Sequence, residues 1–535
     1  LPFGLFITLS FVAGEGLTRV AFGHHPKLWR SWNPEAAGSK TIRDLTIFGY
    51  VFLGLYFAYN VALYGFAYEY LGWWSPSNLL YNPNVLSHYF PWLQPVVNSL
   101  RAGFWEEVLF RAVPLAGAAL IGRRYGRRTW WIGGALILQA LVFGAGHASY
   151  ATQPSYARVV ELFFSSIGLG IIYLAYGLLP AVIIHFLYDL VLMSMPIFVS
   201  TAPGIGVSQT MVVLAGAVPL LVVLYGWYYN GSWADLPENF FNQSWSPSEG
   251  EKTDYTLPVR PGLSGRRVGT VLLAGVVGLG LWVFFGTFES VEVPLELTRS
   301  AAESQAQTLL REEGENPDDW MTISQVSSPR SKSDAFVWQE TSRDTYASLM
   351  GTYLPGPRWS VRFITFEGSV AERAEEYWVN LAPGYELAEI NHRLPESAEG
   401  DRLAEERARV RADSAVRDAY GYDPSEMEFL GASPQSRPNR RDWTITYRGP
   451  EEYDLGDGET RVEVSLLGSE VTDTTRYVHV PEKWERERRG QQQLLGLVTQ
   501  SGTTLMYLVV LAGALAGVFF WGTGRKFSLR AALVV

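Results

Sequence analysis

The chain contains no cysteine, which excludes disulfides, zinc–thiolate sites, iron–sulfur clusters and thiol nucleophiles. Charge is also scarce, because only 18% of the 535 residues are Asp, Glu, Lys or Arg. With 43 basic residues, 53 acidic residues and neutral histidine, the net charge is −10, and this negative balance argues against a nucleic-acid partner. Any metal site must therefore be built from histidine and carboxylate side chains.

Apolar residues, by contrast, are abundant: 48% of the chain is hydrophobic and 14% is aromatic, with 19 tryptophans. This composition indicates contact with membrane lipid. A membrane-spanning helix needs roughly 20 apolar residues, because its backbone must satisfy its own hydrogen bonds. We predict about eight to nine such helices. They cover residues 46–68, 104–122, 129–146, two passes within 162–199, 208–229, 268–288 and 494–522, with 1–13 as the remnant of one more.

Cationic residues cluster in alternate connections between these spans, which places those connections in the cytoplasm by the positive-inside rule. The clusters are Lys27, Arg30, Lys40 and Arg43; Arg123, Arg124, Arg127 and Arg128; Arg260, Arg266 and Arg267; and Arg525, Lys526 and Arg530. Threading the spans in order places the hydrophilic block 289–493 outside the cytoplasm. We therefore predict a multi-pass protein of the bacterial inner membrane.

The predicted division of the chain follows from this threading. Residues 1–230 form a transmembrane core, 231–267 a cytoplasmic linker, 268–288 a transmembrane helix, 289–493 an extracytoplasmic domain, 494–522 a second transmembrane helix and 523–535 a cytoplasmic tail. The chain opens without methionine and ends in an apolar stretch, so we expect both ends to be cut.

The sequence pattern of the hydrophilic block indicates an internal duplication of an α+β unit. A charged amphipathic helix over 300–314 resembles a second over 403–420, and each is followed by three alternating segments typical of strands. These units are similar to PepSY-like domains, which implies binding or regulation rather than chemistry. His392 and His479 lie where strands end, and we interpret both as ordinary surface or packing residues.

Three groups of ionisable residues interrupt the apolar helices of the core. They are Glu106-Glu107-x-x-x-Arg111, Phe143-x-x-x-His147 and His185-x-x-x-Asp189. An ionisable side chain in hydrocarbon costs about 2.5–3.5 kcal/mol on insertion scales, so each group requires a partner or a purpose. A purely structural role remains open, because Glu107 and Arg111 are one helical turn apart and can pair, and an i, i+4 pair of His and Asp can join helices.

The same residue types are what water activation requires without cysteine. Glu106 can take a proton from water, His147 can share that proton or bind a metal, and His185 can face a developing oxyanion. Asp189 would fix the tautomer of His185 or coordinate beside it. If a metal is present, zinc being one possibility, its ligands are Glu106, His147 and His185.

In order and spacing, these three motifs resemble those of the CPBP (Abi) family, the intramembrane proteases related to CAAX prenyl endopeptidases. The resemblance covers about 104–199 and implies a helical core of the family's eight-helix type with a conical cavity. It implies that Glu106 and His147 activate water for peptide-bond hydrolysis and that His185 and Asp189 stabilise the oxyanion. Family members often carry Asn at the position of Asp189, and an aspartate cannot donate a hydrogen bond unless it is protonated.

The sequence therefore predicts an intramembrane endopeptidase that cleaves a membrane-associated peptide or protein. Two alternatives remain from other classes: a non-catalytic membrane scaffold or partner subunit of a membrane protein complex, and a transporter that uses Glu106, His147 and His185 as a proton relay. The expected partners are membrane lipid and the substrate.

Overall fold

The computed structural model describes residues 2–74, 82–150, 152, 154–244, 265–286, 295–327, 331–366, 369–370, 375–382, 389–450 and 453–523. Most of the predicted linker, 245–264, lies outside the described residues, as do the predicted tail beyond 523 and the first residues of a predicted strand, 386–388.

The first half of the chain is helical. Its α-helices are α1 (Pro2–Ala21), α2 (Pro34–Ala37), α3 (Lys40–Leu71), α4 (Leu93–Arg101), α5 (Val113–Tyr125), α6 (Arg128–Gly146), α7 (Ala157–Tyr176), α8 (Leu178–Val199), α9 (Gly206–Asn230) and α10 (Gly265–Phe285). Helix α15 (Glu482–Thr523) returns to this helical core from the hydrophilic block. Seven helices of the described part are long and apolar enough to cross a membrane. This agrees with the predicted class of polytopic helical membrane protein.

Two further predicted spans are helical but fall outside that count. The span 104–122 is interrupted, because π-helical turns separate α4 from α5. The span 268–288 corresponds to α10, whose apolar run covers Leu272–Phe285 in the described part. The sequence 177–180, with a glycine at its start and a proline at its end, predicts the break between the two passes within 162–199. In the structure α7 ends at Gly177 with φ 87°, a left-handed backbone that favours glycine.

The hydrophilic block contains two four-stranded antiparallel sheets. The first has the order β1 (Met321–Ser327), β2 (Arg358–Ile364), β3 (Glu376–Leu381) and β4 (Glu389–Arg393), and the second has the order β5 (Phe429–Ser436), β6 (Arg441–Arg448), β7 (Glu459–Leu467) and β8 (Glu470–His479). Its helices are α11 (Arg299–Glu312), α12 (Lys332–Glu340), α13 (Arg343–Leu349) and α14 (Glu405–Tyr420). The predicted α+β class is correct, but the prediction of three strands per unit missed β1 and β5.

Each sheet is covered by one amphipathic helix that buries three small or branched side chains at positions i, i+4 and i+8. These residues are Ala302, Ala306 and Leu310 in α11 and Ala408, Ala412 and Val416 in α14. Their spacing places them on one face of each helix. Trp359 of β2 and Trp443 of β6 belong to the two corresponding cores.

The hydrophilic block rests on one end of the helical core. Arg299 donates to the backbone oxygen of Ser87 at 3.0 Å, and Ser200 donates to the backbone oxygen of Leu295 at 2.9 Å. The connections that follow α1 and α9 meet each other instead, since the backbone N–H of Lys27 donates to the oxygen of Phe240 at 2.8 Å. By the alternation of the helices, these connections belong to the opposite end of the core.

Helix α10 packs on α3 through glycines. A Cβ atom at Gly275 would lie 2.7 Å from the Val51 side chain, and one at Gly278 would lie 2.6 Å from the backbone oxygen of Gly54. The two helices therefore approach more closely than larger residues allow. Phe57 of α3 stacks on Trp282 of α10 with ring centroids 4.4 Å apart.

Candidate active site

The first motif lies where the helix between α4 and α5 widens. Ala102–Glu106 and Val108–Ala112 are π-helical, and short π-helical segments occur frequently at functional sites. Gly103 brings this segment against α8, because a Cβ atom there would lie 2.9 Å from the backbone nitrogen of Phe186. This close approach places Glu106 and Glu107 beside His185, the residue before Phe186.

Glu107 joins two of the motifs. Its Oε1 lies 2.7 Å from Nδ1 of His185, and its Oε2 lies 3.3 Å from Nε of Arg111. The side chains of Glu107 and Arg111 are fully buried, so this ion pair has no access to solvent. The carboxylate of Glu107 accepts the Nδ1–H of His185, which fixes the ring so that Nε2 points away from Glu107.

Two further carboxylates face Nε2 of His185. Oε2 of Glu106 lies 3.8 Å from this nitrogen, and Oδ2 of Asp189 lies 3.6 Å from it. Both carboxylates are partly accessible, with 19% and 18% of the side chain exposed. The sequence paired His185 with Asp189, whereas in the fold Glu107 makes the short contact and Asp189 lies on the other side of the ring.

His147 lies at the end of α6, where its tautomer is set by its own helix. Nδ1 lies 2.8 Å from the backbone oxygen of Phe143. Because a carbonyl oxygen can only accept, Nδ1 carries the proton and Nε2 of the neutral ring keeps its lone pair. No direct hydrogen bond joins His147 to Glu106 among the residues that the structure describes.

The ring of Phe143 connects residues of all three motifs. The guanidinium carbon of Arg111 lies 4.6 Å from its centroid, and the ring centroids of His147 and His185 lie 4.7 and 6.3 Å away. The structure thus brings Glu106, Glu107, Arg111, His147, His185 and Asp189 to one place; these six residues are called the polar cluster below.

The predicted metal ligands were tested against this arrangement. Over the ranges described above, no group of three His, Asp or Glu side chains could hold a metal ion. Glu106, His147 and His185 therefore do not fit as a ready set of three ligands.

The sequence analysis missed a second set of buried polar residues beside the polar cluster. Arg158 pairs with Glu161 at 2.6 Å near the start of α7, and Tyr64 of α3 donates to the same carboxylate at 2.6 Å. The sequence signal was present, because Arg158 and Glu161 stand three residues apart at the start of an apolar run. The predicted passes begin at residue 162, and the pair lies just before them.

Comparison with known proteins agrees with the motifs. Residues 88–191 match the family described as Type II CAAX prenyl endopeptidase Rce1-like. The chain is also similar to the sporulation-killing factor biosynthesis protein SkfC of Bacillus subtilis (strain 168), with 24% identity over 123 residues, which are 22% of this chain and 23% of SkfC. The chain thus spans about a quarter of the length of this curated relative. No solved structure matches the chain. The six residues of the polar cluster all lie within the matched range, so the part of the chain that is similar to the Rce1-like protease family is the part that contains the candidate site.

Proposed function

We propose that this protein is an intramembrane endopeptidase that hydrolyses a peptide bond of a membrane-associated substrate with water activated by Glu106 and His147. The observation that carries the proposal is the convergence of Arg111, His147 and His185 on the Phe143 ring, from helical segments far apart in the sequence. Burying ionisable groups in a membrane costs free energy. A hydrolytic site explains why this chain keeps them, because each group would take part in catalysis or position a group that does.

Glu106 and His147 act on the attacking water in this mechanism. The carboxylate of Glu106 accepts a proton from water, and Nε2 of His147 accepts a hydrogen bond from the same water because its Nδ1–H is held by Phe143. Glu106 is the carboxylate suited to this role, since Glu107 is fully buried against Arg111. The proton then passes to the leaving amine.

His185 stabilises the negative charge that develops on the carbonyl oxygen of the substrate. Its Nδ1–H is bound by Glu107, so a second proton on Nε2 makes it an imidazolium that donates to the oxyanion. Glu106 and Asp189, 3.8 and 3.6 Å from Nε2, favour that positive charge. Asp189 acts here as a counter-ion and does not need to donate a hydrogen bond.

The substrate class is a peptide or membrane protein with a cleavage site near the membrane. The name of SkfC places that relative in the biosynthesis of a sporulation-killing factor. The family that residues 88–191 match is described as an endopeptidase family, which supports peptide-bond hydrolysis as the class of activity. In our proposal, residues 289–493 lie outside the cytoplasm and present or restrain the substrate, because the block covers one end of the core.

The assay is peptide release from a membrane-anchored reporter by the purified full chain, read by mass spectrometry. Glu106→Gln and His147→Ala should each lower turnover by about 100-fold or more, since each removes a proton-transfer group. Phe164→Leu serves as a control in α7, because this ring is 56% exposed. Unchanged turnover in both site variants would contradict the assignment of Glu106 and His147 as catalytic residues. It would favour the alternative of a non-catalytic membrane scaffold.

The proposed topology has its own test, which uses the absence of native cysteine. Single cysteines at Thr201 and Glu399, both exposed, should react with a membrane-impermeant thiol reagent applied to intact cells. A cysteine at Glu238, exposed near the opposite end of the core, should react only after the membrane is opened. The reverse pattern would contradict the proposed orientation.

A further inference from the structure

Glu161 lies at the centre of a second buried network. Its side chain is fully buried, and both carboxylate oxygens accept from one nitrogen of Arg158, at 2.7 and 2.6 Å. The hydroxyl of Tyr64 donates to Oε2 at 2.6 Å. Glu161 therefore holds the guanidinium of Arg158 in one orientation.

The network also includes Tyr188 of α8, which lies between His185 and Asp189 in the sequence. The hydroxyl of Tyr188 lies 3.4 Å from Oε1 of Glu161 and accepts from Asn60 at 2.5 Å. Tyr188 immediately precedes Asp189. The network thus joins α3, α7 and α8 at the turn of α8 that carries one of the candidate site residues.

The guanidinium of Arg158 also lies against Tyr150, which contacts His147. The guanidinium carbon lies 5.5 Å from the centroid of the Tyr150 ring, and this ring meets the imidazole of His147 edge to face at 5.3 Å. Arg158 is therefore linked to His147 through Tyr150, and to the turn of α8 that carries Asp189 through Glu161 and Tyr188.

Arg158 and Glu161 lie on the same helix, α7, so their ion pair does not by itself join two helices. Here the side chain of Glu161 is fully buried, whereas that of Arg158 is 21% exposed. In addition, Nε of Arg158 is a buried donor without a hydrogen-bond partner among the described residues. Glu161 thus anchors a guanidinium that is partly exposed and lies beside the ring of Tyr150.

We propose that Arg158 is a positioning residue of the peptidase reaction: Glu161 holds its guanidinium, and this guanidinium fixes Tyr150 against His147 and keeps a positive charge next to the polar cluster. This inference rests on the proposed function. In hydrolysis of a peptide bond, negative charge develops on the carbonyl oxygen as water attacks. A fixed cation near the site lowers the energy of that state, and its loss lowers kcat more than it raises KM.

The experiment compares Arg158→Gln with the double variant Arg158→Gln/Glu161→Gln in the full-length protein. The single variant leaves Glu161 buried without its cation, which destabilises the fold. A lower kcat in this variant could then come from loss of folded protein, so the single variant alone does not decide the question. The double variant removes both charges, while the amide oxygen that replaces the carboxylate of Glu161 still accepts from Tyr64. The matched control is Glu15→Gln/Arg19→Gln, because Arg19 and Glu15 form a pair at 2.6 Å in α1 with 28% and 21% of their side chains exposed.

We expect the double variant to unfold near the wild-type temperature, with kcat about 10- to 100-fold lower and KM changed less than threefold, since displacement of a catalytic group costs about this much. Arg158→Lys, which keeps the charge, should recover part of kcat. The control should match wild type in kcat and KM. Wild-type kcat in the double variant, or a kcat in Arg158→Lys no higher than in the double variant, would overturn the inference.

Failure of the inference is distinguishable from failure of the proposed function. Glu106→Gln and His147→Ala are measured in the same assay. If they abolish turnover while the double variant keeps wild-type kcat, Arg158 and Glu161 only join helices and the peptidase proposal stands. If Glu106→Gln and His147→Ala retain turnover, the assignment of the site itself is lost.

Discussion

Nδ1 of His185 lies 2.7 Å from Oε1 of Glu107, although 78 residues separate the two in sequence. This contact orients the imidazole so that its other nitrogen faces Glu106 and Asp189. Arg111 pairs with the second oxygen of Glu107, so the position of His185 depends on an ion pair inside the helical core.

Glu107→Gln should destabilise the protein and lower turnover. The amide oxygen still accepts from His185, but Arg111 is left fully buried without a counter-charge, and breaking a buried pair in this way costs about 3–5 kcal/mol. The measurement is thermal unfolding of the purified protein in detergent. Glu15→Gln is the matched control, because Glu15 and Arg19 are also four residues apart but partly exposed. Equal losses in the two variants would contradict a special role for the buried pair.

Phe143→Leu should lower turnover while the protein remains folded. Leucine fills part of the space but provides no ring face for Arg111, a contact worth about 0.5–2 kcal/mol, and no edge for His147. Both groups then lose a neighbour that fixes their position. Turnover and thermal unfolding are measured together, with Phe164→Leu as control. A large loss of stability with proportional loss of active protein would show that Phe143 is only a core residue.

Gly275→Leu should separate α10 from α3. Its side chain would meet Val51, whose atoms lie within 3.0 Å of the position of a Cβ atom, whereas Gly280→Leu on the same helix has open space. The measurement is chemical cross-linking between cysteines introduced at Phe57 and Trp282, which stack in the native protein. Cross-linking should fall for Gly275→Leu and persist for Gly280→Leu. Equal yields would mean that α10 does not dock through this glycine.

The first turn of α12 should become less stable as the pH rises from 5 to 7.5. Burial raises the pKa of Asp334, which caps this helix with Ser331, to about 6. Because the folded pKa exceeds the unfolded one, near 3.9, the contribution of Asp334 is complete below about pH 4 and is lost as the pH passes 6. This local stability is measured by hydrogen–deuterium exchange of the backbone amides of residues 332–340, with each rate corrected for the pH dependence of intrinsic exchange.

The control for that prediction is Asp334→Asn, which keeps an oxygen to accept from Ser331 but does not titrate. Its exchange protection in α12 should be independent of pH over the same range, after the same correction. Parallel pH dependence in wild type and Asp334→Asn would show that another group controls the stability of this helix.

The sequence by itself determined the helical membrane class, the break at Gly177 and the three motifs of the polar cluster. Local rules were sufficient, because an apolar run must form a helix in lipid and φ 87° at Gly177 favours glycine. The same rules identified the amphipathic helices of the hydrophilic block. They missed β1 and β5, since a strand is stabilised by its neighbours in the sheet more than by its own sequence.

Only the tertiary structure decided which residues of the polar cluster meet. Sequence spacing paired His185 with Asp189, because four residues make one helical turn, but the short contact comes from Glu107 on another helix. The π-helical turns and the close approach at Gly103 create that contact, and neither follows from residue spacing. Likewise, only the packing of the helices shows that Arg158 contacts Tyr150 and that Tyr150 contacts His147. Such contacts depend on how helices pack, and this is decided by the whole fold.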